Sequence, residues 1–345
     1  MSLREGGDMQ MASINERLSS MLAKCGEMAP TIKTSRLIKG TNGKNSLLVN
    51  LFLYIILISL GFVYLYPVLY MAVTSLKSLP DLLDPAVQWI PTSLSLDNLR
   101  QAIDVMHVKD ALWDTLAISL LPSLAQTVIC ALTGYGFARF KFPGRNIALI
   151  LVLLTFIIPP YVLMVPKYSL FSDYKILGTI WALVLPAASG QGLNSAIFIL
   201  IFMQFFKQTP ASLDEAARVD GCNELKIFYS IALPLAVPAF VVSFLFSFVW
   251  YWNETYFTSL FIANPGSQNT MTTLLLELSK FEQSYMGYLQ SVSNSWGAAH
   301  MGESVANEAI KMAATLVNVL PMLVVYFILQ KQFVESIDRT GITGE

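Results

Sequence analysis

Six stretches of this chain contain no Asp, Glu, Lys, Arg or His, and their lengths dictate what it can become. They run approximately Leu47 to Leu76, Thr115 to Ala138, Ile147 to Val165, Ile176 to Phe206, Phe228 to Asn253 and Met312 to Gln330. A helix needs about 20 apolar residues to cross the hydrocarbon core of a bilayer, and each stretch meets or nearly meets that length. Only 13% of the 345 residues are charged, against about 25% in a soluble domain, so polar side chains are too few to coat a water-exposed surface. The expected fold class is all-α and integral to a membrane, with six transmembrane helices over residues 46–332. A net charge of −1 supplies no field to hold a nucleic acid. Cys25, Cys130 and Cys222 have neither CxxC spacing nor an even count, which removes a disulfide framework and a zinc cluster.

The basic residues set the orientation, because cytoplasmic loops hold the excess of Lys and Arg. Seven lie in the N-terminal tail, three in the second loop (Arg139, Lys141, Arg145), three in the fourth (Lys207, Arg218, Lys226) and two after the last stretch. The alternate loops hold three, two and two. Fifteen against seven places both termini, 1–45 and 333–345, in the cytoplasm. The tail's first apolar run begins near Leu47 and is too long for a signal-peptide core. Ser13 and Glu16 have capping-box spacing, with Ile14, Leu18, Met21 and Leu22 behind them at helical intervals. The tail thus reads either as a helix on the inner membrane surface or as disorder. The charge-free spans count against an ion-coupled carrier or channel, which normally needs buried ionisable groups.

Prolines and glycines interrupt several spans. Pro159-Pro160 falls in the third, Pro234 and Pro238 in the fifth and Pro321 in the sixth. The fourth is the most irregular, with Pro186, Gly190 and Gly192 beside the polar Ser189, Gln191 and Asn194. Broken helices near the midplane offer polar groups to cargo, so this cluster is a candidate part of a translocation path. The competing reading is a loop at the outer surface, with the true span beginning near Asn194.

The fourth loop carries the sharpest pattern. Pro210 precedes a helix start, Ser212 and Glu215 have capping-box spacing, and Leu213, Ala216 and Ala217 supply an apolar stripe. Gly221 suits a left-handed helix end and Asn223 can cap a second helix. A compact helix-turn-helix over 207–226 follows. Ala216 and Ala217 would let another protein approach closely, and Glu215 and Asp220 offer charge-assisted contacts to a basic partner.

The run Glu215-Ala216-Ala217, Gly221, Ile231, Leu233-Pro234 resembles the EAA motif of binding-protein-dependent ABC importer permeases, with the spacing intact. Pro67 to Lys77, Gly134 to Arg145, Ile157 to Pro160 and Trp252-Asn253-Glu254 are similar to the carbohydrate-importer subfamily, in particular to its maltose G-type subunit. The resemblance implies an ABC type I importer permease fold in a bacterial-type plasma (inner) membrane. It also implies a second, non-identical permease subunit, two cytoplasmic ATPase subunits and an extracellular or periplasmic solute-binding protein as partners. The cargo would be a carbohydrate, most simply an oligosaccharide, with a glycerophosphate or polyol as the alternative. The EAA loop would seat in an ATPase cleft through Glu215, Ala216, Ala217, Asp220 and Gly221. The tail residues Thr340, Gly341 and Gly344 would insert between the ATPases.

The chain lacks a GxxxxGK[ST] phosphate loop, so ATP would be handled by those separate subunits. No catalytic constellation or cofactor motif appears, and His107 and His300 sit far apart in outer loops. The outer loop over 254–311 is rich in aromatic residues (Tyr256, Phe257, Phe261, Phe281, Tyr285, Tyr288, Trp296). It reads either as a surface reaching a binding protein or as a helical hairpin packed on the outer face.

Overall fold

A computed structural model describes residues 47–263, 271–293 and 303–341, and every secondary-structure element among them is helical. Contacts divide the chain into two units, residues 1–69 and 70–345. The first holds most of α1, Leu47–Ser75, a 29-residue helix of about 44 Å at 1.5 Å per residue. Its large apolar side chains, such as Leu57 and Tyr64, are exposed, as hydrocarbon contact requires. Ser13 and Glu16 lie outside the described residues.

The second unit opens with α2 (Leu79–Leu83) and α3 (Asp97–Val105). Polar side chains make the segment from Lys77 to Asn98 a folded element. Lys77 Nζ donates to the carbonyls of Val87 and Gln88 at 2.7 and 2.8 Å, and Asn98 Nδ2 donates to the Lys77 carbonyl at 2.8 Å. Asp81 accepts from the Thr92 hydroxyl and from the Thr92 backbone N–H. These bonds, led by the Thr92 hydroxyl, hold its carboxyl below the usual range.

The spine of the unit is α4, Val108–Arg139, 32 residues with Pro122 inside it. It is amphipathic in a sense opposite to that of a soluble helix. Thr115, Ser119, Ser123, Gln126 and Thr127 are buried, whereas Trp113, Leu120, Leu121, Leu124, Val128 and Leu132 are exposed. Lipid tails are as apolar as leucine, so membrane helices associate through close packing of small and polar residues. Three apolar clusters line up along it, around Ala111, around Ile118 and around Cys130–Phe137.

The remaining elements pack around this spine. They are α5 (Arg145–Ile157), a 3-10 turn (Pro160–Leu163), α6 (Met164–Asp173), α7 (Trp181–Ala188), α8 (Ser195–Gln208) and α9 (Ala211–Val219). Next come α10 (Glu224–Ile227), a π-helical turn (Phe228–Ala232) running into one short helical turn (Leu233–Leu235), α11 (Val237–Trp252), α12 (Tyr256–Phe261), α13 (Leu274–Ser279), α14 (Phe281–Ser293) and α15 (Glu303–Gly341). Val49–Ser75, Val108–Arg139 and Glu308–Lys331 are each long and apolar enough to cross a membrane.

The expected breaks are real in three of four cases. The third stretch bends by 95° between Ile157 and Pro160, and the fifth by 77° between Leu235 and Val237. The fourth splits into α7 and α8. The sixth does not break: Pro321 sits inside α15, which continues to Gly341 rather than ending at residue 332. No Gly or Pro occurs between Pro321 and Gly341, so nothing stops the helix at the membrane boundary. The segment over 254–311 is helical over most of its described residues, and its Phe257, Phe261, Phe281 and Tyr285 are buried in the apolar clusters. Trp296 and His300 lie outside the described residues, and His107 is exposed.

Helix α8 approaches α4 at Gly134, where an added Cβ would lie 2.6 Å from Phe202 Cβ and 2.9 Å from the Met203 nitrogen. Gly136, two residues on, faces open space. Gly134→Ala is therefore expected to lower the thermal unfolding midpoint in detergent, while Gly136→Ala leaves it unchanged or raises it slightly. The Asp81 carboxylate is expected to stabilise its segment above the unfolded value of about 3.9, a contribution lost as pH falls through the lower folded value. Hydrogen exchange over residues 78–96 should thus be faster in Asp81→Asn at neutral pH, and the difference should vanish in strong acid.

Candidate functional site

Pro210, extended at ψ 128°, delivers the chain into α9 at Ala211. The helix therefore starts ahead of Ser212, which lies in the first turn, and the expected Ser212–Glu215 capping box does not form. The other end matches the sequence reading. Gly221 takes φ +79°, its N–H donates to the Arg218 carbonyl and the Cys222 N–H donates to the Ala217 carbonyl, both at 3.0 Å. This paired closure needs a left-handed residue, which glycine adopts without a Cβ penalty. Asn223 Oδ1 accepts from the Lys226 N–H at 2.8 Å and caps α10.

Ion pairs sort the four acidic residues of this loop into two kinds. Arg139, the last residue of α4, places Nε 2.9 Å from Asp214 Oδ2, with the two side chains only 9% and 3% exposed. Arg139 Nη2 also donates to the Thr209 carbonyl at 3.0 Å. Arg218 grips Glu224 with two bonds of 2.7 and 3.1 Å, which holds the Glu224 carboxyl below its ordinary value. Asp214 and Glu224 thus serve the loop itself, leaving Glu215 and Asp220 exposed. The alanine pair also divides: Ala216 is exposed, whereas Ala217 is buried and packs inward, because Asp214 and Ala217, three residues apart, share the face that meets the protein. The outer face presents Glu215, Ala216, Asp220 and Gly221 with the exposed apolar side chains Val219, Leu225 and Tyr229. Exposed apolar surface rimmed by charge is the mark of a protein contact.

The second site lies where the fourth stretch breaks. Gly190 and Asn194 take φ values of +76° and +53°, turning the chain between α7 and α8. The turn is fastened from two sides. Gln126 Nε2 donates to the Leu193 carbonyl at 2.6 Å, and the Leu193 N–H donates to the Tyr251 hydroxyl at 3.2 Å. Gly192 makes this possible, since a Cβ there would lie 2.5 Å from the Tyr251 oxygen and 2.6 Å from Gln126 Oε1. Gln126 is 13 residues from Arg139, about 20 Å along α4. The turn therefore sits beside the middle of the spine, and α8 begins just after it at Ser195.

A cavity of about 280 Å³ opens at this turn. Gln191 and Asn194 line it, as expected; Ser189 does not, and its exposed hydroxyl donates to the Pro186 carbonyl at 2.9 Å. One wall is aromatic. Tyr161 and Phe257 stack with centroids 6.0 Å apart, and Phe257 and Phe261 stack at 5.7 Å. Lys167 and Glu254 are the two charged lining residues. Burial pushes the Glu254 carboxyl up, and its Oε1 accepts from the Phe257 N–H at 2.7 Å.

Thr340 and Gly341 end α15, and Gly344 lies outside the described residues. The sequence reading missed Arg139 and Asp214 as a pair, and Gln126, Tyr251, Lys167 and Glu254 as neighbours of the break. Gln126 carried a usable signal: it is the one amide side chain in the second uncharged stretch.

Residues 126–339 match the family described as binding-protein-dependent transport system inner membrane component. The chain belongs to that family. It is an ABC importer permease, a membrane transport subunit and not an enzyme, which works with an ATPase and a solute-binding protein. The permease is 27% identical over 297 residues to a polygalacturonan/rhamnogalacturonan transport system permease protein of Bacillus subtilis, covering 86% of this chain and 99% of that one. It is 26% identical over 283 residues to a lactose transport system permease protein of Rhizobium radiobacter, covering 82% and 93%. A crystal structure of a bacterial ABC transporter that imports the acidic polysaccharide alginate shares the fold, with a TM-score of 0.61 at 18% identity over 85% of this chain and all of that one.

Removing one member of the buried Arg139–Asp214 pair strands the other charge, at a cost of about 3–5 kcal/mol. In the permease, Arg139→Met and Asp214→Leu are each expected to lower the unfolding midpoint in detergent markedly. The double variant should lose less than the sum of the two, which thermal unfolding of all three would show.

Proposed function

We propose that the permease imports a carbohydrate, most simply an oligosaccharide, by alternating access driven by a separate ATPase. The observation that carries this reading is the cavity at the broken fourth span, where an aromatic wall faces the amides of Gln191 and Asn194. Aromatic faces suit the C–H surface of a sugar ring and amides suit its hydroxyls, an arrangement usual in small-molecule sites. The relatives named for polygalacturonan and lactose transport support the same class of cargo.

In this reading the chain crosses the membrane six times with both termini in the cytoplasm, beside a second, non-identical permease. The exposed face of α9 docks in a cleft of one of two ATPase copies. Glu215 and Asp220 supply charge, Ala216 allows close approach, Ala217 fixes the helix from below and Gly221 shapes its exit. Thr340, Gly341 and Gly344 extend toward the ATPase pair, and the outer segment over 254–311 faces the binding protein.

Glu215→Lys places a cation where the docking face carries an anion, and Gly221→Val forces a β-branched residue to φ +79°, at a cost of about 1–2 kcal/mol or more. Both are expected to reduce co-purification of the ATPase and ATP-driven oligosaccharide uptake in reconstituted vesicles. Normal association and uptake in both variants would sink the docking assignment, and uptake driven by an ion gradient alone would reject the importer reading.

A further inference from the structure

The one cation in the cavity is not explained by packing or by any partner within the protein. Lys167 lies on α6, just beyond the 95° bend that follows Ile157. It is half-buried, and among the described residues it makes neither an ion pair nor a hydrogen bond. The other charged lining residue, Glu254, has one oxygen committed to the Phe257 N–H, and no nitrogen–oxygen approach within 4.0 Å joins it to Lys167. Taking an ammonium group out of water without a counter-charge is unfavourable. A cavity built that way is matched to a ligand that brings the counter-charge.

We propose that the cavity holds an acidic sugar residue, with Lys167 binding its carboxylate. The inference rests on the carbohydrate reading above and narrows it to the uronate class. The geometry divides the ligand's chemistry. The Lys167 ammonium takes the anionic end through charge-assisted hydrogen bonds. Glu254 and the amides of Gln191 and Asn194 take hydroxyl groups, and the stacked Tyr161 and Phe257 face the ring. At about 280 Å³ the cavity falls near the lower bound of small-molecule sites, about 300 Å³, so it holds a sugar-sized unit and not a long chain.

The experiment uses the complete transporter with its partner subunits and binding protein, reconstituted in vesicles, and measures ATP-driven uptake of sodium oligogalacturonate and of a neutral galacto-oligosaccharide. The proposal expects the wild type to import the acidic oligosaccharide. Lys167→Gln should reduce that uptake about tenfold to a hundredfold, the loss of a hydrogen bond to a charged group, and Lys167→Arg should retain most of it. Equal membrane levels and equal thermal unfolding midpoints in detergent for the three proteins separate this from misfolding. Undiminished acidic uptake by Lys167→Gln would overturn the role of Lys167. Wild-type uptake of the neutral oligosaccharide alone would overturn the uronate class while leaving the carbohydrate reading intact. ATP-driven uptake of neither would fail the carbohydrate reading itself, and this proposal with it.

Discussion

One buried charge pair fastens the loop helix α9 to the end of the spine helix α4. Arg139 ends α4 and Asp214 sits in the first half of α9, with Nε and Oδ2 2.9 Å apart and both side chains almost fully buried. Such a pair adds little net stability against an apolar alternative, yet it is strongly directional, since either charge alone is costly in that position. What it secures here is register. The second Arg139 bond, to the Thr209 carbonyl, catches the chain just before the helix begins. Force applied to α9 therefore passes to the end of a 32-residue helix.

That helix carries the same logic along its length. About 20 Å from Arg139, Gln126 holds the Leu193 carbonyl of the turn that lines the cavity. Near its other end, Asp114 Oδ2 accepts the Thr272 N–H at 3.0 Å and Thr115 Oγ1 accepts the Leu274 N–H at 2.9 Å. A single helix thus touches α9, the turn at the cavity and the Thr272–Leu274 segment through side-chain hydrogen bonds or ion pairs. Freed backbone groups inside a membrane must find protein partners, and Leu193 finds two: its carbonyl pairs with Gln126 and its N–H with Tyr251. Specific side chains therefore hold the turn between α7 and α8 where it lines the cavity.

Much of this was legible in the sequence, and the residues show why. Three of the uncharged stretches fall in helices long and apolar enough to cross a membrane, because hydrocarbon disfavours charge. Gly221 and Asn223 announced the exit of α9 because each performs a local act, a left-handed turn and a cap, that depends on a few neighbouring residues. The failures share the opposite property. Ser212 has capping spacing, but Pro210 takes the cap position and the helix starts two residues sooner, at Ala211. Ala217 looked like half of a docking pair until Asp214, three residues away on the same face, was seen to turn inward toward Arg139. Arg139 and Asp214 are 75 positions apart, and Lys167 and Asn194 line one cavity only because the third stretch bends and the fourth breaks. Long-range pairings of this kind leave no periodic trace, and Pro321 shows the converse: a strong local breaker signal absorbed by a helix whose other turns are satisfied.

The central claim is that α9 and α4 move as one body when the motor closes. It is tested most directly by pulsed electron-spin distance measurement between labels at Ala211 and Val128, both exposed, in a background lacking the three cysteines and in the assembled transporter. The account predicts one unchanged distance distribution in the nucleotide-free and ATP-bound states, while distances from either label to the partner permease shift. A change between Ala211 and Val128 on the scale of a helix turn, about 5 Å, would contradict it.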